Sequence, residues 1–140
     1  MTIDETKNKY LEQGIFFAPE YEQENIILEN FKIKNPKLNT LQTLELIDIL
    51  INSNEINEKL FVADLLYFYK NIDDKFLLPL VDNAINYEDP SFCRVFLYPA
   101  FINFGKEKIL KILDDRLKLD NFKIKKNIEK LYYWLNIFEQ

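Results

Sequence analysis

Apolar residues recur along this chain at intervals of three and four, the spacing that lines one side of a helix rather than the strict alternation of a half-buried strand. Leu41, Leu44, Ile47 and Ile51 form such a stripe and predict a helix over residues 40 to 52, with these four facing inward. Asn57 is a good N-cap for the next helix, with Ile56 before it and Phe61 inside as a hydrophobic staple. That helix, to about Lys70, is apolar nearly all round and belongs in the centre of the fold. Asp73 is placed to cap a helix reaching about Tyr87, and Asp89-Pro90-Ser91 opens another that ends at Gly105. Residues 106 to 119 follow with Ile109, Leu110, Leu113 and Leu117 inward, and residues 121 to 138 close the pattern with Ile124, Ile128, Leu131, Leu135 and Phe138. Pro79 fits a first turn if its helix starts late, whereas Pro99 lies mid-helix and predicts a kink.

The first part of the chain reads less clearly. Residues 2 to 13 suit a short helix stopped by Gly14, and Ile15-Phe16-Phe17-Ala18-Pro19 is a brief apolar plug. Residues 20 to 34 fit a helix or, over the last few positions, an extended piece.

Residues 60 to 84 are echoed 33 positions later, with Val62/Val95, Phe68/Phe101, Lys75/Lys108, Leu77/Leu110, Leu80/Leu113 and Asp82/Asp115 identical. A period of this length is the signature of stacked helical pairs. The pattern resembles the HEAT-like helical repeats over residues 57 to 119: Pro79-Leu80-Val81 leads through Ala84-Ile85 to Glu88-Asp89-Pro90, and Arg94, Ala100 and Gly105 stand at matching intervals. The first copy departs from that pattern, with Ile72 at the terminal glycine and Tyr67 at the small residue, and Arg94 comes one position later than is usual. The resemblance implies an all-α right-handed stack of helical hairpins, an α-solenoid of about six or seven helices. Residues 39–140 would form the stack and residues 1–38 an N-terminal addition.

Composition narrows the function. A chain of 140 residues with only 2 glycines and 5 prolines suits a single domain without a flexible linker. The lone Cys93 cannot form an internal disulfide, and the N-terminus lacks the basic-then-apolar pattern of a secretory signal, so a cytoplasmic location is expected. The most apolar run, residues 92 to 104, contains Arg94, Pro99 and Asn103 and is too short to cross a bilayer. A net charge of -5 disfavours nucleic acid, whose backbone is bound by clustered lysine and arginine, and suits a basic protein partner.

Much catalytic chemistry is missing. Without histidine there is no Ser-His pairing and no usual nitrogen ligand for zinc or iron, which excludes the HEAT-like metal-dependent hydroxylases; the acidic charge disfavours the HEAT-like DNA glycosylases. Cys93 sits in a very apolar helix and reads as a buried structural thiol. Glycines only at 14 and 105 rule out a phosphate-cradling loop. The pairs Asp73/Asp74, Glu88/Asp89 and Asp114/Asp115 point about 100° apart when helical, so they do not converge on a substrate by adjacency alone. Binding is therefore preferred to catalysis, with no catalytic residue, metal ligand or cofactor assigned.

Two surfaces are candidates. The 33-residue register sets Asp82 above Asp115 with Asn83, Asn86 and Asp114 nearby, an acidic stripe suited to lysines and arginines of a partner. The last helix carries Tyr133 and Trp134 on a side other than its core stripe, and aromatic residues often anchor interfaces. Small, acidic, histidine-free helical repeats are similar to bacterial immunity proteins, and this resemblance implies a cognate, basic toxin domain held in an occluded complex. The alternatives are an adaptor or assembly factor of the same fold and, third, a carboxylate-only hydrolase.

Overall fold

A computed structural model describes residues 1–13, 26–87 and 89–139. Among the described residues the chain is all-α, with eight α-helices, one 3-10 turn and no strand. Two compact units divide it, residues 1–73 and 74–140.

In the first unit, α1 (Ile3–Gln13) starts beside Thr2, whose hydroxyl accepts the Glu5 N–H at 3.1 Å, and buries Ile3, Thr6 and Tyr10. The expected end before Gly14 agrees with Gln13 as its last residue, while Gly14 and the apolar plug at 15–19 lie outside the described residues. The ambiguous stretch resolves as helical where it is described, in α2 (Ile26–Lys34), which buries Leu28 and Phe31. The next helix, α3 (Thr40–Asn52), opens with a reciprocal capping box: Asn39 accepts the Gln42 N–H at 2.7 Å and Gln42 accepts the Asn39 N–H at 3.0 Å.

The central helix of this unit is α4 (Ile56–Tyr67), buried without a break from Leu60 to Leu66 and packed against α1 and α3. Its start corrects the expected Asn57 cap. Glu55 holds the N-cap position without a side-chain bond, and Ser53 ties the junction by accepting the Glu55 N–H at 3.1 Å and donating to Glu58 at 2.6 Å. The expected inward stripe of α3 is also corrected. Thr43, Leu46 and Leu50 are the buried positions, whereas Leu41, Leu44 and Ile51 are exposed. This helix is apolar on two faces, and periodicity alone does not say which one a neighbour covers.

In the second unit, a 3-10 turn (Asp74–Phe76) follows Asp73 and feeds α5 (Leu77–Asn86). The late start puts Pro79 in the first turn, where backbone donors have no intrahelical acceptor to lose. The long helix α6 (Pro90–Phe104) continues through Pro99. Both prolines receive the same support four residues on: Asn83 donates to the Pro79 carbonyl at 2.8 Å and Asn103 to the Pro99 carbonyl at 2.9 Å. Gly105 separates α6 from α7 (Lys106–Leu117) at φ +86, a conformation L side chains rarely adopt, although an added Cβ would meet nothing within 4 Å. Asn121 then accepts the Ile124 N–H at 3.1 Å and caps α8 (Phe122–Phe138).

Helix α5 packs on α6, α7 and α8, and α6 packs on both α7 and α8. Buried Asn127 of α8 donates to the Ile85 carbonyl in the last turn of α5 at 2.8 Å, satisfying a group the helix cannot pair itself. The sequence echo marks packing positions: Leu80 and Leu113 are buried at equivalent places in α5 and α7, and Val62 and Val95 in α4 and α6. Phe101 is only partly buried, packed on Phe138 with ring centroids 5.5 Å apart.

Candidate partner-binding surface

The acids expected to form a stripe are each engaged by their own chain. Asp82 on α5 receives two hydrogen bonds from Arg116 on α7, at 3.1 and 3.2 Å. Asp114 accepts the Tyr132 hydroxyl at 3.1 Å, an α7-to-α8 tie, and Asp115 pairs with Lys118 at 3.4 Å. Burial, then the bond to Asp114, raises the Tyr132 phenol above its ordinary value. Asn83 is buried and bound to the Pro79 carbonyl, while Asn86 is exposed at the end of α5. Of these five residues, Asp82, Asn83, Asp114 and Asp115 are tied within their own chain, and Asn86, Asp114 and Asp115 are exposed.

The aromatic side of α8 is more open. Tyr133 is 60% exposed and meets Trp134 edge-on at 5.3 Å. Trp134 is half-buried: its ring stacks on Phe138 at 6.2 Å, and the Arg94 guanidinium of α6 lies 5.2 Å from its centroid. Tyr98 and Phe101 of α6 flank Phe138 in turn, so an aromatic cluster lies behind the exposed Tyr133, and Ile137 is exposed on the same helix. Phe122, at the start of the same helix, is 83% exposed.

Sequence reasoning missed the outward face of α3, where Leu41, Leu44 and Ile51 are 67%, 48% and 59% exposed. The signal was present as a surplus: Leu41, Leu44, Leu46, Ile47, Ile49, Leu50 and Ile51 are too many apolar residues for a single stripe. Charge is divided unevenly as well. Residues 1–73 hold 13 acidic and 7 basic side chains, and residues 74–140 hold 10 and 11, so the net negative charge comes from the first unit.

Burial pushes the Cys93 thiol up, away from the reactive thiolate. Among the described residues no group of three or more His, Cys, Asp or Glu side chains could hold a metal ion, and no helix is long and apolar enough to cross a membrane. A cavity of about 320 Å³ in the first unit is lined by residues including Lys37, Thr43, Tyr69, Lys70 and Asp73; one carboxylate there is not the facing pair that acid-base hydrolysis uses. Burial raises the Tyr69 phenol to about 12, and its hydroxyl donates to the Asn35 carbonyl at 2.6 Å. Tyr10 donates to the buried Asp64 carboxylate inside the first unit, a tie from α1 to α4 that leaves the phenol strongly raised by burial. Compared with protein-family models, curated proteins and solved structures, the chain matches none.

Proposed function

We propose that this chain is a stoichiometric protein-binding module, of the kind that neutralises a bacterial toxin by holding it in an occluded complex. The observation that carries the reading is the α8 surface: Tyr133 is exposed against a framework of Trp134, Phe138, Tyr98 and Arg94, and Ile137 is exposed on the same helix, which together offer an aromatic anchor. Phe122 and the lysines at 123, 125, 126 and 130 extend the same helix, so the part of a partner that meets α8 is apolar or acidic, with its basic groups confined to the contacts with Asp115 and Asn86. Asp115 and Asn86 remain as polar contacts for a basic partner; Asp82 and Asp114 contribute once the cost of loosening Arg116 and Tyr132 is met.

A HEAT-like arrangement is part of this proposal. It is supported by the 33-residue echo and by the short links between α6, α7 and α8. A cytoplasmic location goes with it, consistent with a single, buried cysteine that has no second cysteine to pair with.

Co-purification from the native host, with mass spectrometry of the bound chain, tests the reading. A toxin domain in one-to-one complex, released by Tyr133→Ala with Trp134→Ala at unchanged helical signal, is the expected result. A partner that remains active when bound would instead describe an adaptor.

A further inference from the structure

Helix α3 has two opposed apolar faces, and among the described residues of the first unit only one of them is buried. At 100° per residue, Leu41, Leu44, Asp48 and Ile51 fall within an arc of about 80°, centred opposite buried Thr43, Leu46 and Leu50. Leu41 and Ile51 lie about 15 Å apart along the axis. Three large aliphatic side chains exposed on one helical line exceed the scattered apolar residues that any surface shows, and such lines mark interaction sites.

The polar residues of that face state the kind of occupant. Glu45 and Asp48 are exposed beside the aliphatic line, and α3 contains no lysine or arginine. Asp48 accepts from the neutral Asn52 amide at 2.6 Å, and among the described residues no lysine or arginine forms a salt bridge with it. The unit around it carries 13 acids against 7 bases. A second copy of the chain laid on this face would bring Glu45 and Asp48 against their own equivalents, and an anionic lipid surface would be repelled in the same way.

We infer that the outward face of α3 is a docking surface for an amphipathic helix of a protein partner, one bearing leucine-like anchors flanked by lysine or arginine. Such a helix sets its apolar side on Leu41, Leu44 and Ile51 and its cations beside Glu45 and Asp48, in the manner of helix recognition by apolar grooves. The carboxylates give orientation and encounter rate, and the aliphatic line gives the residence time. This surface stands independently of the α8 reading, since it lies on a different helix of a different unit.

The test titrates a fluorescein-labelled amphipathic leucine-lysine peptide with the full chain, following anisotropy. Saturable binding is expected, weakened by added salt and by about tenfold or more in the variant Leu41→Gln, Leu44→Gln, Ile51→Gln. That variant should melt as the parent does, and Tyr133→Ala should keep full peptide affinity, which separates a failure here from a failure at α8. Equal binding by the triple variant, no binding by the parent, or equal binding of a leucine-glutamate peptide would overturn the inference. So would a lower melting temperature of the triple variant, which would mean that the chain itself covers the line. A dimer in sedimentation that the triple variant abolishes would identify a second copy as the occupant, and loss of anionic-vesicle binding in that variant would identify a membrane; either result also overturns the proposal.

Discussion

The two units handle surplus polarity and surplus hydrophobicity in opposite ways. The first buries a polar pair, Tyr10 on Asp64, inside its core and leaves aliphatic residues of α3 in solvent beside the carboxylates of Glu45 and Asp48. The second ties acids to its own cations and hydroxyls at the surface, Asp82 to Arg116 and Asp114 to Tyr132, and exposes the aromatic groups Phe122 and Tyr133 beside scattered aliphatic ones such as Leu78 and Leu119. The net negative charge lies in the first unit, with 13 acids against 7 bases, and the exposed aromatic groups of α8 lie in the second.

The largest effects should come from the aromatic cores, which both units share. Phe61 and Phe96 are fully buried, and Phe61→Ala or Phe96→Ala should each cost about 3 to 5 kcal/mol in chemical denaturation. Partly exposed Phe101 should cost clearly less when truncated, and an equal loss would show that the burial contrast is drawn wrongly. Next comes the polar pair peculiar to the first unit. Tyr10→Phe withdraws a donor from the buried Asp64 carboxylate and should destabilise by about 1 to 3 kcal/mol at neutral pH.

The matching change in the second unit should be smaller. Arg116→Ala breaks a bidentate pair whose side chains are 32% and 38% exposed, so a loss of about 1 kcal/mol or less is expected, shrinking as salt is added. A loss as large as that of Tyr10→Phe would erase the distinction between interior and surface pairing. The smallest effect concerns Glu58, whose carboxyl is held below its ordinary 4.5 by the Ser53 hydroxyl, with Lys7 also lowering it. A depressed folded value means that its contribution is complete above the unfolded value and is lost as pH falls through the folded one. Ser53→Ala should move the Glu58 midpoint upward in an NMR titration; an unmoved midpoint would assign the effect elsewhere.

Much of the fold was legible because its signals are local. The three- and four-residue spacing of α3, the Asp-Pro opening of α6, the break at Gly105 and the late start that accommodates Pro79 all act within a few turns of the residues that announce them. The inward face of α3 was not legible, since it depends on where α4 lies, and α4 is apolar nearly all round and offers no directional hint. The start of α4 was misread for a different reason: Asn57 is the better cap by type, but the Ser53 hydroxyl fixes the junction from outside the helix. Of the site, the aromatic pair Tyr133 and Trp134 stood out as residues off the core stripe. The pairing of Asp82 did not, although the register that aligned it with Asp115 also brought it one position from Arg116.

Trp134 is the sole tryptophan and lies in the proposed interface, so its emission reports on that surface without a label. Titrating the chain with its co-purified partner should shift this emission saturably at one-to-one stoichiometry, with the shift lost when Tyr133→Ala abolishes binding. A partner that binds while Trp134 emission stays constant, and whose affinity is indifferent to Tyr133, would contradict the assignment of α8 as the anchoring surface.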